Sequence, residues 1–240
     1  MMAADLFGDF FMIDPDLNMM AQTITTFFNP GDTLEVRALD VQGFMNSTKT
    51  WSGYFLYDGS NAKFIVGEVL KLLLAKGIYF TLNPVNPSLL ARSNNRMSVS
   101  KTGSTTSDKD ILRRLYIPID IDPVRQSDTS ATDAQVKMAY AIAKLIFDYL
   151  IGEGWPKPIT CFSGNGCHLL CPVDLPCDDN GLVKKCLEAL ALMFDTEDVK
   201  VDTSVFNPAR IVRFYGTVAR KGDPVPELEI YHRVSKILSI

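Results

Sequence analysis

The sequence predicts an α/β chain of the α+β kind, with helices packed on mixed sheets. Strand-like and helix-like stretches alternate along it, and the second half has the order strand, helix, strand-turn-strand, helix, strand, strand. Its 240 residues are 47% hydrophobic, which suffices for one large core or two modest ones. With 22% charged residues and a net charge of −4, the composition argues against disorder and against a wholly basic nucleic-acid coat, and leaves room for a local basic groove.

The first half of the chain predicts two helices and three strands. Asp14 is a good N-cap and Pro15 a favourable first helical residue. Asn61 can cap a second helix, which Gly77 closes. The predicted elements are a helix from Asp14-Pro15 to about Phe28, strands over 34–39 and 51–57, a helix from Asn61 through Ala75, and a strand over 78–82.

The second half predicts two longer amphipathic helices between short strands. Thr132 and Gln135 have the spacing of a capping box, and Gly152 ends that helix. Asp179 or Asn180 caps the other helix. The predicted elements are a strand over 115–123, a helix from Thr132 to Gly152, strands over 158–162 and 169–175, a helix from Asp179 to about Phe194, and short strands beside Asp202 and within 210–218.

The most polar stretch covers residues 92–109, where four basic residues lie among Ser, Thr, Asn and Gly. It divides the chain into an N-terminal α/β module, residues 1–110, and a second module, residues 111–240. Two interpretations are open: a solvated linker, or a loop that contacts DNA or nucleotide.

The sequence contains no sign of membrane insertion or export. No apolar run reaches the roughly 18 residues of a membrane span, and the N-terminus lacks a signal-peptide pattern. We therefore expect a cytoplasmic protein with no membrane partner.

The cysteines raise the possibility of a zinc site. Four of the five, Cys161, Cys167, Cys171 and Cys177, lie close to His168. Two separate pairs with the C-x₂₋₄-C spacing of zinc sites are missing. Two of these cysteines lie inside apolar strand-like runs, where a reduced thiol packs as a small hydrophobe. We expect packing and not zinc.

An acidic pair ends the strand predicted over 115–123. Because side chains alternate along a strand, Asp120 and Asp122 point to the same side, and Pro123 then ends the hydrogen-bond ladder. Two adjacent carboxylates repel each other, and a hard cation such as Mg²⁺ or Mn²⁺ between them relieves the repulsion. The alternative interpretation is a strand that runs into an Asp-Pro turn with both carboxylates solvated.

Two later stretches favour the metal interpretation. A Gly-rich turn, Ser163-Gly-Asn-Gly-Cys-His168, can present backbone N–H groups and the Ser163 hydroxyl to phosphate oxygens, with the His168 imidazole beside them. Asp202 is a third isolated acid in an apolar context. Asp120, Asp122 and Asp202 are therefore the candidate metal ligands and catalytic residues. The candidate nucleotide-binding residues of this turn are Ser163, Asn165, Gly166 and His168.

Basic and hydroxyl side chains follow Asp202. Arginine matches phosphate geometry well, so Arg210 and Arg213 are candidate phosphate ligands, and Thr217 and Lys221 extend the polar set. The two arginines are three residues apart. On a strand they would face opposite sides, so we expect one to reach phosphate and the other to pair elsewhere.

These stretches resemble the three motifs of the archaeo-eukaryotic primase superfamily, the primase–polymerase proteins. The family pattern is D-x-D or D-x-E, then S-x-x-x-x-H or S-x-H, then a hydrophobic residue followed by Asp, and the surroundings resemble the subgroup of phage and plasmid replication proteins. The likeness extends over roughly residues 34–221. The matching segments are T-L-N-P-V-N-P (81–87), T-T-S-D-K-D (105–110), I-D-I-D-P-V-R (119–125), S-G-N-G-C-H-L-L (163–170) and V-D-T-S-V-F-N-P-A-R-I-V-R-F-Y-G-T (201–217).

The resemblance implies a primase fold, in which a sheet like that of the RNA-recognition motif (RRM) is joined to an N-terminal α/β unit. By the same resemblance, the three aspartates bind the catalytic metals, and Ser163 and His168 hold the phosphates of the nucleotide with help from Arg210 or Arg213. Relatives commonly have Pro-His-Arg where this chain has Tyr231-His232-Arg233. Many also carry a C-terminal helicase or priming region, so this chain is either one domain of a larger protein or a compact form.

The predicted function is template-directed nucleotidyl transfer with Mg²⁺ or Mn²⁺, by which nucleoside triphosphates make or extend primers on single-stranded DNA. A helicase domain or protein is a further expected partner. Two rivals remain. A D-x-D nucleotide-sugar transferase explains the acidic pair alone, and a non-catalytic nucleic-acid-binding replication module explains the fold without the chemistry.

Overall fold

The computed structural model describes residues 13–42 and 47–240. Within them the chain forms two five-stranded antiparallel sheets with helices packed on them, which confirms the predicted α+β class. Residues 1–12 of the predicted N-terminal module lie outside the described residues. In the described part, no helix is both long and apolar enough to cross a lipid bilayer.

Four helices and twelve strands are described, several of the strands very short. In chain order they are α1 (Leu17–Phe27), β1 (Thr33–Gln42), β2 (Thr48–Leu56), α2 (Ala62–Leu70), β3 (Gly77–Thr81), β4 (Ser98–Val99), β5 (Arg114–Pro123), α3 (Asp133–Gly152), β6 (Ile159–Phe162), β7 (Cys167–Leu175), α4 (Leu182–Phe194), β8 (Val199–Val201), β9 (Ile211–Arg213), β10 (Val218–Ala219), β11 (Arg233–Val234) and β12 (Lys236–Ser239).

The predicted caps or ends of α1, α2 and α4 differ from the structure; the N-cap of α4 is Gly181 and not Asp179 or Asn180. The N-cap of α1 is Asp16 and not Asp14, because the Asp16 carboxylate accepts from the N–H of Met19. Helix α2 ends at Leu70, five residues before Ala75, where the chain continues as tight turns. In the second half, the capping box of α3 is present with both of its hydrogen bonds.

The first sheet has the strand order β4-β2-β1-β3-β9. Its apolar face packs against α1 and α2 around a cluster of aromatic rings, among them Phe27, Phe80 and Tyr215. Strand β9 belongs to the chain after residue 110, yet it pairs with β3 of the N-terminal module. The second predicted module therefore contributes one strand to the sheet of the first.

The second sheet has the strand order β12-β6-β7-β5-β8. Four of its strands, with two helices between them, follow the chain order β5-α3-β6-β7-α4-β8, which is the split β-α-β arrangement of two interleaved units. Helices α3 and α4 cover one face. The isoleucines of β5 (Ile117, Ile119 and Ile121) point into that face, so Asp120 and Asp122 point away from it, toward the first sheet.

Asn83 connects the two sheets. It is 1% exposed, and its side-chain oxygen accepts from the backbone N–H groups of Leu115 (2.7 Å) and Tyr116 (3.1 Å) at the start of β5. Its amide nitrogen donates to the carbonyl of Pro208 at 3.1 Å, shortly before β9. One buried amide therefore fixes three chain segments relative to one another.

The polar stretch at 92–109 is fastened to the first sheet. The Arg92 guanidinium donates to the carbonyl of Ser104 at 2.9 Å, and the N–H of Thr106 donates to the buried carboxylate of Glu35 at 3.1 Å. The hydroxyl of Tyr54 on β2 also donates to the Ser104 carbonyl at 3.2 Å. The stretch is thus part of the fold of the first module.

The cysteines at 161, 167 and 171 are buried in the two cores. Burial raises the pKa of each thiol to about 12, so all three are protonated near neutral pH. For Cys161 and Cys171, the apolar setting is the one that the sequence predicts.

We expect Asn83→Ala to lower the free energy of unfolding by roughly 3 kcal/mol, because two N–H groups and one carbonyl lose their partner in the core. Denaturant unfolding followed by circular dichroism measures this change. The matched control is Asn86→Ala, which removes an exposed amide that accepts only from the N–H of Ser88 and should cost about 1 kcal/mol. Equal losses in the two variants would contradict the role of Asn83.

Candidate active site

A cleft of about 290 Å³ lies between the β3–β9 edge of the first sheet and the exposed face of the second. It brings together residues that are far apart in the chain and carry both signs of charge. Among the predicted site residues it is lined by Asp120, Asp122, Ser163, Asn165, His168, Arg210, Arg213 and Lys221.

The three predicted acids meet at one end of the second sheet. Asp120 and Asp122 lie on β5, and Asp202 directly follows β8, which pairs with β5. The N–H of Asp202 donates to the carbonyl of Asp120 at 2.8 Å and holds the two residues side by side. The Asp202 carboxylate also accepts from the N–H of Ser204 at 2.8 Å.

The Asp120 carboxylate lacks compensation for its charge. Its side chain is 26% exposed, but its Oδ1 atom is buried and has no hydrogen-bond partner. Burial, followed by the carboxylates of Asp122 and Asp202, raises the pKa of Asp120 well above its usual value. These oxygen donors are of the kind that hard divalent cations prefer, and the orphaned Oδ1 fits a cationic ligand.

The protein does not supply a complete metal site. In residues 13–42 and 47–240, no group of three or more His, Cys, Asp or Glu side chains is placed so that it could hold a metal ion. As they lie in the structure, Asp120, Asp122 and Asp202 are therefore not such a group, and a cation there would need a closer approach of their carboxylates and further oxygen ligands from solvent or a bound substrate.

His168 lies opposite Asp120 in the β5–β7 pair. Its Nε2 is 3.5 Å from Oδ1 of Asp120, and its Nδ1 is 2.7 Å from the hydroxyl oxygen of Tyr215. Burial, and then the nearby charge of Arg213, lowers the pKa of His168 to about 3. The imidazole is therefore neutral at neutral pH and carries one N–H that it can donate.

Arg210 and Arg213 both line the cleft, so the expectation that only one of them reaches it does not hold. Strand β9 spans only Ile211–Arg213, and Arg210 precedes it, where strand alternation does not apply. The Nη2 group of Arg210 donates to the carbonyl of Ser204 at 2.5 Å, which directs the side chain toward the loop after Asp202.

Arg213 is a buried cation without an anion. Its side chain is 8% exposed, its Nε and Nη1 groups have no hydrogen-bond partner, and no described acid forms an ion pair with it. The guanidinium lies 4.5 Å from the centre of the Tyr79 ring. A Cβ at Gly77 would lie 2.6 Å from its Nη1, so this glycine makes room for the charge. Burying an unpaired charge is costly unless a ligand compensates it.

The Gly-rich turn is closed on itself. The N–H groups of Gly166 (2.9 Å) and Asn165 (3.4 Å) donate to the Ser163 hydroxyl oxygen, and the hydroxyl lies 3.2 Å from the Gly166 carbonyl. Two N–H groups of the predicted phosphate cradle are thus already in use. A Cβ at Gly166 would collide with the Asp122 carboxylate, so this glycine lets the turn pack directly against the acidic pair. Asn165 accepts from the N–H of Ala131 at 2.8 Å and so anchors the turn.

Thr217 and Lys221 differ in position. Thr217 is 1% exposed, its hydroxyl donates to the carbonyl of Phe214 at 2.6 Å, and it does not line the cleft. Lys221 does line the cleft. Its loop is held by His232, whose Nε2 is 2.8 Å from the carbonyl of Gly222. Thr217 is therefore a buried residue outside the cleft, and His232 contacts the backbone of the residue that follows Lys221.

Among the other residues that line the cleft and that the sequence did not single out are Arg125, Tyr79 and Arg220. Arg125 had a local signal, because it follows Asp122 by three residues, and its Nη2 is 3.6 Å from the Asp122 carboxylate. Tyr79 had none, because its position depends on the pairing of β3 with β9 across more than a hundred residues.

Comparisons of the chain with protein-family models, curated proteins and solved structures found no match.

We expect Gly166→Ala to lower the free energy of unfolding by about 2 kcal/mol, because the new methyl group displaces Asp122 or the turn. Denaturant unfolding measures this change. Gly152→Ala, at the end of α3, places its methyl group in open space and should not lower the free energy of unfolding in this way. A Gly166→Ala protein as stable as wild type would contradict the close packing of the turn on the acids.

Proposed function

We propose that the chain is a metal-dependent, template-directed nucleotidyltransferase of the primase–polymerase type, which makes or extends primers on single-stranded DNA. One observation carries this proposal: the cleft holds uncompensated charges of both signs. Asp120 has a buried oxygen without a partner, and Arg213 has buried guanidinium nitrogens without a partner. A nucleoside triphosphate that brings a divalent cation supplies the missing partner of each.

The placement of the site on the second sheet supports the same proposal. The β5-α3-β6-β7-α4-β8 order resembles the RRM-like sheet expected from the motif resemblance. Two acids lie on the first strand of this unit, His168 on its third, and Asp202 directly after its fourth. The first sheet contributes the opposite wall of the cleft through Arg213 and Tyr79.

Each part of the site, including Asp202 beside the cleft, then has a chemical role. Asp120, Asp122 and Asp202 would hold Mg²⁺ or Mn²⁺, which supplies Lewis-acid stabilisation of the phosphate oxygens when bound. The guanidinium groups of Arg210 and Arg213, and the Lys221 ammonium, bind and orient the triphosphate. The 3′-hydroxyl of the primer loses its proton to water and attacks the α-phosphorus; a new P–O bond forms, and the bond to pyrophosphate breaks. Cationic side chains stabilise the charge on the departing pyrophosphate.

The proposed macromolecular ligand is a single-stranded DNA template with its primer. A helicase, in the same polypeptide or as a separate protein, is the further partner that the resemblance suggests. The diphosphate of a nucleotide sugar would also pair with Arg213, but a nucleotide-sugar transferase gives no task to the placement of His168 and Asp202 beside the acidic pair, and we do not favour it.

We expect Asp120→Asn to reduce primer extension to background, because the variant keeps the shape of the side chain and removes the charge that holds the cation. The assay uses a primed single-stranded DNA, Mn²⁺ or Mg²⁺, and labelled nucleotides, with products separated by length. Asp174→Asn, which alters an exposed acid paired with Arg113, is the control and should extend normally. Full extension by Asp120→Asn would overturn the proposal. Binding of duplex DNA with an affinity that does not depend on divalent metal or on nucleotide would favour the non-catalytic nucleic-acid-binding module.

Asp120→Asn should also unfold at a higher denaturant concentration than wild type when no metal is present. The change removes a carboxylate whose ionised form is destabilised by burial and by two neighbouring carboxylates. It should raise the free energy of unfolding by about 1 kcal/mol or more. A loss of stability in the absence of metal would show that the Asp120 charge is already compensated within the protein.

Arg213→Met should weaken nucleotide binding, whereas Arg37→Met should lower the free energy of unfolding. Arg213 has no anionic partner, so its removal should weaken nucleotide binding about tenfold or more with little loss of stability. Arg37 forms an ion pair at 2.6 Å with the fully buried Glu35, so its removal should cost about 3 kcal/mol of unfolding free energy and act on nucleotide binding only through the fold. Equal destabilisation in both variants would mean that Arg213 has a structural partner.

A further inference from the structure

A second pocket, of about 230 Å³, lies at the β2–β4 edge of the first sheet. Apart from Val99, every described residue that lines it carries a hydroxyl group or a positive charge. The hydroxyl groups belong to five serines and Tyr54, and the charges to Arg92 and Lys101. No described acid lines the pocket. Hydroxyl and cationic groups without an acid are the surroundings that suit a phosphate group.

Three of the lining side chains have hydrogen-bonding groups to spare. The Oγ atom of Ser100 is buried and has no hydrogen-bond partner. Lys101 forms no ion pair and no side-chain hydrogen bond with a described residue. The Arg92 guanidinium is held through Nη1, which donates to the carbonyl of Ser104 at 2.9 Å and lies 3.3 Å from the Tyr54 hydroxyl. Its Nε and Nη2 groups are not engaged by described residues. A buried hydroxyl without a partner is costly, and a phosphate oxygen would accept its proton.

The nearest acids do not neutralise the charge of the pocket. Glu35, behind Ser52, is fully buried, accepts from the Ser52 hydroxyl at 2.6 Å and forms its ion pair with Arg37. The Asp110 carboxylate accepts from the N–H (2.9 Å) and the hydroxyl (2.7 Å) of Ser107, and it forms no ion pair with either basic residue of the pocket. The pocket therefore keeps its positive charge for a ligand.

The pocket and the cleft lie on the same face of the first sheet. Residues directly opposite each other in paired strands project from one face. Tyr79 of β3, which lines the cleft, lies opposite Arg37 of β1. Arg37 lies opposite Ser52 of β2, and Ser52 lies opposite Ser98 of β4 in the pocket. Three strand spacings, about 14 Å, separate Tyr79 from Ser98. One nucleic-acid strand of several nucleotides is long enough to contact both sites.

We propose that the second pocket binds a backbone phosphate of the single-stranded DNA that occupies the cleft. The Ser100 hydroxyl, the Lys101 ammonium and the free edge of the Arg92 guanidinium donate to the phosphate oxygens. The phosphate as ligand stands on the chemistry of the pocket, and DNA as its source rests on the proposed function. Of the two interpretations of the polar stretch at 92–109, this favours a loop that contacts DNA.

The proposal is tested by the affinity for a fluorescent oligothymidylate of about 15 nucleotides, measured by anisotropy on the whole protein at several salt concentrations. Lys101→Gln and Ser100→Ala should each bind about fivefold more weakly than wild type. Lys101→Gln should also reduce the slope of log affinity against log salt concentration by about 0.7, the contribution of one phosphate of a single strand. Denaturant unfolding should show wild-type stability for both variants, because neither side chain has a partner to lose.

The matched control is Lys137→Gln, which removes the same charge from an exposed position on α3 and should bind the oligonucleotide like wild type. Equal affinities of Lys101→Gln and Lys137→Gln would overturn the proposal. A loss of dATP affinity in Lys101→Gln with undiminished oligonucleotide binding would also overturn it, because the phosphate would then come from a free nucleotide. A wild-type protein that binds the oligonucleotide through the pocket but extends no primer would refute the proposed function and leave the pocket assignment standing. A wild-type protein that binds no oligonucleotide would overturn both.

Discussion

The alternation of side chains along β5 is the constraint on which the site depends. Three isoleucines on one face of this strand are buried under α3 and α4, each worth about 2 kcal/mol. Turning the strand over to solvate Asp120 and Asp122 would expose all three, so the acids stay in the cleft. Asp122 has the Arg125 guanidinium 3.6 Å away, but the Oδ1 atom of Asp120 remains buried without a hydrogen-bond partner.

The opposite wall of the cleft carries a positive charge that no described acid pairs with. Pairing of β9 with β3 brings Arg213 over the ring of Tyr79, and Gly77 provides the space, but no described acid pairs with the guanidinium. Acids and this arginine lie in one cleft and leave each other's charge uncompensated. Such an arrangement costs stability in the empty protein and is the expected form of a site whose ligand carries both an anionic chain and a cation.

Patterns in short stretches of the sequence predicted the secondary structure better than they predicted the contacts between distant residues. The alternation of β5, the capping box at Thr132 and the acidic pair are properties of short stretches, and the structure reproduces the first two directly. The shared cleft of Arg210 and Arg213 could not be predicted, because it depends on where a three-residue strand begins. The closed turn at Ser163 and the packing position of Thr217 depend on hydrogen bonds that many sequences of the same pattern would not form. The bridging role of Asn83 and the contact between Tyr215 and His168 join segments far apart in the chain, which no local period encodes.

The most direct test of the account is the dependence of nucleotide binding on a divalent cation. A fluorescent dATP analogue is titrated against the wild-type protein in saturating Mn²⁺ and again in EDTA, with Asp120→Asn measured beside it. If the unpaired acids and the unpaired arginine form one site, Mn²⁺ should tighten binding at least about tenfold in wild type and have little effect in Asp120→Asn. Equal affinity in Mn²⁺ and EDTA, or an undiminished Mn²⁺ effect in Asp120→Asn, would contradict the account.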